Sequence, residues 1–280
     1  MTHRATALIR SFNSGSLPSI LRADDGNHYL VKFQGNPQGS SVLARELVCS
    51  RVAHALGIPI PDFAPIVVSE EFIFANHRSF RDQPSHFIPC PGIHFGSKLV
   101  AHDLVGQTYD VMPVAMACKL RNPQALPAMT AFSFYVGNID RIQYVFCKLP
   151  REKRYRATLI DFGFAFGGPS GSIPSTVRNS MLPPSHLIFP QYWHEMNLGW
   201  LFSKIEHLDP IWLTSLTEDI PSEWLDDPIV ERFRILQALL IRRALVRSQM
   251  SEACASLRPR LRSKRIGYYG SKWMTAPPMN

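Results

Sequence analysis

The sequence predicts an α+β protein of two lobes with its active cleft between them. Short strand-like segments dominate residues 1–101, with one amphipathic helix among them. Helical patterns dominate residues 102–280, with a small hairpin in their middle. Candidate site residues lie on both sides of the join, which favours a cleft there. We therefore expect an N-terminal lobe of antiparallel strands plus one helix and a mostly helical C-terminal lobe.

Composition supports a folded protein outside the membrane. The chain has 280 residues, of which 45% are hydrophobic and 19% charged, enough for a substantial core and unlike a disordered chain. No apolar run reaches the length of a membrane span, and the first residues lack the apolar stretch of a signal peptide. The five cysteines form no CxxC pair, so we expect reduced thiols and a cytoplasmic protein.

The predicted elements of the first lobe follow from period and turn residues. Asp24-Asp25-Gly26-Asn27 is a strong hairpin signal between two strands, and the apolar stripe after Ser41 predicts a helix that stops at Gly57. The residues richest in Pro, His and Gly are expected to form a surface loop. The predicted strands are 5–10, 19–22, 28–33, 64–68 and 98–101, the helix is 41–56, and the loop is 76–97.

The second lobe reads as helices around a hairpin. A helix is predicted over 123–136, strands over 144–147 and 157–160, and irregular chain over 167–191. The remainder, 192–256, reads as helical, with a helix start at Pro221-Ser222-Glu223-Trp224.

Lys32 and Glu46 form the first candidate pair. Lys32 lies on a predicted strand after Leu30 and Val31, and Glu46 lies inside the predicted helix, off its main apolar stripe. A strand lysine paired to a helix glutamate is how a kinase-like lobe places a cation on the phosphates of ATP. The alternative is a solvated lysine and an ordinary helix carboxylate.

Asp140 and Asp161 lie at the mouth of the predicted hairpin. One such carboxylate can accept the proton of an attacking hydroxyl while the other binds Mg²⁺, which prefers hard oxygen ligands. Asp161 begins the sequence Asp161-Phe162-Gly163. The alternative is a pair of turn aspartates that bond to backbone N–H groups.

Two turns could bind phosphate through backbone N–H groups. One comprises Ser14, Gly15 and Ser16 between the first two strands, and the other runs from Gly35 to Gly39 before the helix. They are rival or additional anion sites, and either could be a simple turn.

Taken together, these segments resemble the HipA-like kinases, specifically a compact bacterial form. The resemblance covers nearly the whole chain. It rests on Val31-Lys32-Phe33-Gln34-Gly35-Asn36-Pro37-Gln38-Gly39, Arg45-Glu46-Leu47, Gly137-Asn138-Ile139-Asp140-Arg141 and Leu159-Ile160-Asp161-Phe162-Gly163.

This resemblance implies a protein-kinase-like fold that binds ATP and Mg²⁺ and transfers phosphate to Ser or Thr hydroxyls. Lys32 would contact the phosphates, Glu46 would orient it, Asp140 would be the catalytic base, and Asp161 would bind the metal. The family usually has an asparagine as a second metal ligand five residues after the catalytic aspartate, where this chain has Val145. Valine cannot bind Mg²⁺, so that ligand is lost, or Gln143 offers a carbonyl oxygen nearby; a further alternative is a shortened loop, which would misalign the count.

The net charge of +8 comes from the C-terminal segment. From Arg242 onward nine Lys and Arg residues face a single acid, Glu252. Tyr268, Tyr269 and Trp273 lie among or after the last of these basic residues, which suits an acidic or nucleic-acid partner, although a solvated basic end is the alternative.

Two functions of different classes follow. The first is an ATP-dependent phosphotransferase acting on a protein or a small molecule. The second is a catalytically weak pseudokinase that serves as a nucleotide-binding or regulatory module, which the Val145 position favours.

Overall fold

The fold is described from a computed structural model. It covers residues 1–82, 85–99, 107–110, 112, 118–168 and 198–252. Most of the predicted irregular segment 167–191 and the whole basic tail 258–280 lie outside these residues. Among the described helices, none has the length and apolar character needed to cross a membrane.

The first half is built on a closed five-stranded barrel instead of an open sheet. The strand order around it is β1-β2-β3-β5-β4, with β1 and β4 parallel and the other pairs antiparallel. Closure through the β1–β4 pair leaves none of the five strands as an edge. The barrel strands are β1 His3–Ser11, β2 Ser19–Ala23, β3 His28–Lys32, β4 Phe63–Val68 and β5 Gly92–Lys98.

Strand β5 shows that the predicted loop is wrong over 92–97 and that a strand begins well before residue 98; residues 100–101 of the predicted strand 98–101 lie outside the described part of the chain. Its residues pair with β3 on one side and β4 on the other. The sequence pattern does not predict this strand, because it contains glycine and histidine, which are unusual in a buried strand. His94 is fully buried and accepts a hydrogen bond from the Gln34 N–H, and Gly96 packs so closely that a Cβ there would lie 2.5 Å from Ile66 Cγ1.

The helix that follows the barrel's first three strands matches its prediction. Helix α1 spans Ser41–Leu56, and Gly57 ends it with a φ of 74°. Ser40 stands at the N-cap but makes no side-chain cap there; its hydroxyl accepts from the Gly35 N–H instead. Two short helices, α2 Glu70–Ala75 and α3 His77–Arg81, lie before and within the predicted loop.

A three-stranded antiparallel sheet confirms the predicted hairpin and adds one strand. Its order is β6 Gln107–Tyr109, β7 Gln143–Lys148 and β8 Arg156–Ile160. Helix α4, Ala125–Tyr135, lies between β6 and β7 along the chain and begins two residues later than predicted.

The described part of the C-terminal region is helical, as expected. Helices α5 Gly199–Glu206, α6 Pro210–Glu218 and α7 Pro228–Arg242 follow in order. The predicted start at Pro221 is wrong: Ser222–Trp224 is one turn of 3-10 helix, and Leu225 is extended. The next helix begins at Pro228 instead, where the Asp227 carboxylate caps the Val230 N–H and proline suits the first turn.

Two hydrophobic clusters divide the core. The smaller fills the barrel, with Val31 and Phe33 among its members. The larger joins α1 to the three-stranded sheet and to the helices of the C-terminal region. Trp224, fully buried, also ties the helical region to the barrel by donating from Nε1 to the Ile93 carbonyl at 2.8 Å. The candidate site lies where these parts meet.

Candidate active site

Lys32, Glu46 and Asp161 come together from three distant segments. Lys32 ends β3, Glu46 lies within α1, and Asp161 follows β8. The Lys32 ammonium donates to Glu46 Oε1 and, at 2.9 Å, to Asp161 Oδ1. Both Lys32 and Glu46 are buried, so neither is the solvated surface residue of the alternative interpretation.

Electrostatics favour a charged lysine and an ionised Asp161. Burial alone would lower the pKa of Lys32, but Glu46 and Asp161 outweigh it and hold that pKa above its ordinary value. Burial would likewise raise the pKa of Asp161, but the Lys32 ammonium, the Gly163 N–H and the Gln143 amide together lower it. For Glu46 burial dominates and raises the pKa.

The backbone at Asp161 has a left-handed conformation. Its φ is 66°, which is uncommon for a residue with a Cβ. Phe162 packs in the core with its ring edge-on to Phe132, the centroids 5.7 Å apart. The buried phenylalanine therefore anchors the turn while the Asp161 carboxylate points out toward Lys32.

Asp140 lies in a loop that runs beside the Asp161 segment. Backbone hydrogen bonds join the two, from Ile139 N–H to the Phe164 carbonyl and from Phe166 N–H to the Val136 carbonyl. The Asp140 carboxylate accepts from the Arg141 N–H at 2.7 Å and is partly exposed, so it can meet an acceptor from solvent.

Asn138 links the two aspartates through their backbones, a contact that sequence reasoning missed. Its Nδ2 donates to the Asp161 carbonyl at 3.2 Å, and its Oδ1 accepts from the Asp140 N–H at 3.2 Å. Asn138 lay inside a motif of the resemblance, but no role had been assigned to it.

Gln143, and not Val145, lies beside Asp161. The Gln143 amide donates to Asp161 Oδ2 at 3.1 Å from the first residue of β7. Val145 stands two residues farther along the strand, where it lines a cavity. The side chain that meets Asp161 is therefore that of Gln143, three residues after Asp140.

The oxygen donors at this point suit a hard divalent ion. Asp161 offers a carboxylate and Gln143 an amide that can turn its oxygen inward, and Mg²⁺ takes such ligands together with phosphate and water. Asp161, Gln143 and the phosphates of a nucleotide would form such a set.

A largely apolar cavity of about 180 Å³ opens beside these polar groups. The barrel contributes Leu30 and Phe95 to its wall, and the three-stranded sheet contributes Val145, Thr158 and Ile160. Lys32, Glu46 and Asp161 also line the cavity. An apolar pocket with a few convergent polar groups is the usual form of a small-molecule site.

The two candidate phosphate turns are neighbours. A Cβ on Gly15 would lie 2.8 Å from Gln38 Nε2, so the side chain of the second turn packs against the backbone of the first. Gly15 has a φ of 27°, Gly35 of 67° and Gly39 of 90°. Ser14 is exposed and Ser16 is buried. The two turns thus lie against each other through the Gln38 side chain.

Arg45 is a second contact that sequence reasoning missed. Its guanidinium is buried and donates to the carbonyls of Ala165 and Gly168, and to Ser41 of its own helix. The helix that carries Glu46 is thereby joined to the segment that follows Asp161. A basic residue on an otherwise apolar helix face was the available signal.

The chain is similar to a known protein family and to solved kinase structures. A family model described as HipA-like kinase matches residues 6–250. A search of curated proteins gave no match.

Two solved kinases have a similar fold. The proinflammatory kinase CtkA of Helicobacter pylori is 11% identical over 92% of this chain and 99% of that chain, with a TM-score of 0.56. The Golgi casein kinase with Mn/ADP bound is 13% identical over 91% of this chain and 74% of that chain, with a TM-score of 0.51. At these identities the likeness shows the fold alone.

Proposed function

The chain belongs to the HipA-like kinase family, and we propose that it is an ATP-dependent phosphotransferase acting on Ser or Thr hydroxyls. The observation that carries this proposal is the buried lysine that donates to both Glu46 and Asp161 beside an apolar cavity. In this proposal the chain works as two lobes, residues 1–101 and 102–280, with the nucleotide held between them.

The nucleotide is bound by parts with different chemistry. The base lies against the apolar wall of the cavity, and Lys32 donates to the phosphates while Glu46 keeps it oriented. The turn at Ser14, Gly15 and Ser16 offers backbone N–H groups to phosphate oxygens. In the turn from Gly35 to Gly39 the N–H groups of Gly35 and Gly39 already donate to Ser40 Oγ and to the Asn36 carbonyl, so that turn contributes by packing against the first. The Golgi casein kinase of similar fold holds Mn and ADP, which agrees with this use of the cleft.

Asp161 and Gln143 hold the metal ion. A Mg²⁺ ion held by these two residues would neutralise charge that develops on the phosphates during transfer. Asp161 supplies an ionised carboxylate, since its pKa is lowered in spite of burial. Gln143 presents its oxygen once its amide has turned from the orientation in which it donates to Asp161.

Asp140 accepts the proton of the acceptor hydroxyl. That oxygen then bonds to the γ-phosphorus of ATP, the bond from this phosphorus to the β–γ bridging oxygen breaks, and ADP leaves with the bond's electron pair. Lys32 and the backbone N–H groups stabilise charge on the phosphate oxygens throughout. The partial exposure of Asp140 leaves room for an acceptor to reach it.

Direct transfer tests the proposal. Wild type, Asp140→Asn and Asp161→Asn are incubated with Mg²⁺, γ-labelled ATP and dephosphorylated casein, and label is measured on both proteins. Asp219→Asn is the matched control, because Asp219 is an exposed partner of Arg51. We expect label with wild type and the control, and a loss of about 100-fold or more in the two site variants. If the wild type binds nucleotide but neither transfers label nor turns over ATP, the proposal that it is a phosphotransferase is wrong.

A nucleotide-binding regulator without turnover is the second candidate. It is favoured by Gln143 at the place beside Asp161, since the longer glutamine side chain is less restrained than asparagine. Under this proposal the wild type binds ATP with Mg²⁺ and shows no label above Asp161→Asn.

The basic segment and the cellular location are further proposals. We propose that residues 258–280 bind an acidic or nucleic-acid partner and that the protein is cytoplasmic. Binding of a fluorescent single-stranded oligonucleotide is measured against salt for the full chain and for a chain ending at residue 257. If the affinity falls with salt and is lost on truncation, the result supports nucleic-acid binding by residues 258–280. Equal binding by both chains contradicts that proposal.

A further inference from the structure

Asn138 is a buried polar residue that no step of the proposed reaction uses. It is 2% exposed, yet both ends of its amide are bonded to backbone groups. One end bonds to Asp161 and the other to Asp140. Of these two residues, one is the proposed metal ligand and the other the proposed base.

The bond to Asp161 acts on an unusual backbone conformation. With φ at 66°, Asp161 turns its carbonyl toward Asn138 and its carboxylate toward Lys32 and Gln143. A residue with a Cβ adopts this conformation only when its surroundings favour it. Because side-chain direction follows from the backbone angles of the same residue, a donor that fixes the carbonyl also fixes where the carboxylate points.

The backbone of Asn138 is fixed by the end of helix α4 and by the turn that precedes it. Its N–H donates to the Ser133 carbonyl at the end of α4, and the preceding Gly137 has a φ of 59°. A Cβ on Gly137 would lie 2.9 Å from Cζ of Arg242, which is 1% exposed and donates to the Tyr135 carbonyl at 2.7 Å. The turn thus lies against a buried guanidinium and can act as a fixed support.

We propose that Asn138 is a positioning residue that holds Asp161 in its metal-binding conformation and fixes its spacing from Asp140. This inference rests on the proposed function, because it requires Asp161 to bind the metal. Its consequence is specific: loss of Asn138 weakens the response of nucleotide binding to Mg²⁺ more than it weakens nucleotide binding itself.

The test compares two asparagines whose side-chain amides each donate to one backbone carbonyl and accept from one backbone N–H. Asn122 donates to the Ala157 carbonyl and accepts from the Ala157 N–H, both at 2.9 Å, and touches neither aspartate. Asn138→Ala and Asn122→Ala are titrated with a fluorescent ATP analogue, with and without Mg²⁺, and their thermal unfolding is measured. In Asn138→Ala alone we expect the Mg²⁺ concentration for half-maximal enhancement to rise about threefold to tenfold, the scale of one lost hydrogen bond. The metal-free affinity stays at the wild-type value.

Asn138→Asp is a second test of the proposed role of Asn138, and it can be used if Asn138→Ala does not fold. It keeps the shape and the acceptor for the Asp140 N–H but replaces the donor that faces the Asp161 carbonyl. The same rise in the Mg²⁺ requirement is expected, and a requirement equal to wild type overturns the inference. An equal rise in Asn122→Ala also overturns it, because the effect is then one of general stability.

The proposed function fails differently. If wild-type affinity for the analogue does not respond to Mg²⁺ at all, the metal assignment of Asp161 is wrong, and the inference falls with it. If wild type responds and Asn138→Ala keeps the full response, only the inference is overturned.

Discussion

Lys32 Nζ lies 2.9 Å from Asp161 Oδ1, so the proposed phosphate-binding cation and the proposed metal-binding carboxylate are paired with each other. A metal ion at Asp161 must compete with this ammonium. Phosphates that accept hydrogen bonds from Lys32 weaken its hold on Asp161, and a metal ion then binds more readily. Nucleotide and metal are therefore expected to bind cooperatively.

Acid should remove a stabilising contribution of Asp161. Its folded-state pKa is lowered, so it stabilises the fold above the unfolded-state pKa of about 3.9, and this contribution is lost as pH falls through the folded-state value. We expect Asp161→Asn to unfold at lower urea than wild type near neutral pH, with the difference shrinking below about pH 4. Asp219→Asn, at an exposed ion pair, should show little difference at any pH. A difference for Asp161→Asn that grows in acid contradicts this assignment.

Substitutions of Gln143 and Val145 should change different properties of nucleotide binding. Gln143→Leu removes the amide oxygen at similar size, and we expect the Mg²⁺ requirement for nucleotide binding to rise about tenfold, as for lost partners of other metal sites. Val145→Asn should leave that requirement unchanged and weaken nucleotide affinity, because it puts an amide on the apolar wall of the cavity. Calorimetric titration with and without Mg²⁺ measures both. A lower Mg²⁺ requirement in Val145→Asn would restore Val145 as the missing ligand position.

Two arginines of α1 should differ in what they contribute to stability. Arg45→Met leaves the Gly168 carbonyl without its donor and the Ala165 carbonyl with the Gly168 N–H alone, and a buried unpaired carbonyl costs about 1–3 kcal/mol. We expect the free energy of unfolding to fall by at least about 2 kcal/mol. Arg51→Met, which loses an exposed contact to Asp219, should cost less than about 1 kcal/mol. Urea unfolding at neutral pH gives the free energy of unfolding of both variants. Equal losses would contradict the conclusion that Arg45 joins α1 to the segment after Asp161.

Gly96 should not tolerate a methyl group. Gly96→Ala places Cβ against Ile66 and 3.2 Å from the Ala64 carbonyl oxygen, so we expect a loss of about 1–3 kcal/mol from overpacking. The double variant with Ile66→Ala should lose less than the sum of the two single variants, because the smaller side chain makes room. Thermal unfolding of all four proteins measures this coupling; simple additivity would mean that the barrel relaxes by another route.

Elements with a clear period were predictable, and tertiary contacts were not. Helix α1 was found with its bounds because an apolar stripe ends at Gly57, whose left-handed conformation stops the helix. Strand β5 was missed because its burial depends on two neighbouring strands, and a buried histidine or glycine carries no periodic signal.

The candidate site was predictable residue by residue but not in its connections. Lys32, Glu46 and Asp161 were identified from their order along the chain, and the structure brings them together. Asn138 and Arg45 act on backbone groups, some of them more than a hundred residues away, which have no sequence signature. Gln143 contacts Asp161, whereas a count of five residues from Asp140 reaches Val145. Which side chain contacts Asp161 depends on the residue at which β7 begins, and the sequence pattern does not give that residue.

The division of the core gives the Lys32–Glu46 pair a mechanical meaning. Lys32 follows Val31 of the barrel cluster, whereas Glu46 lies on a helix whose apolar residues belong to the larger cluster. A displacement that separates the two clusters would therefore lengthen this ion pair, so the Lys32–Glu46 distance follows the separation of the clusters. A partner that bridges both clusters could tune phosphate transfer through that distance without entering the cleft.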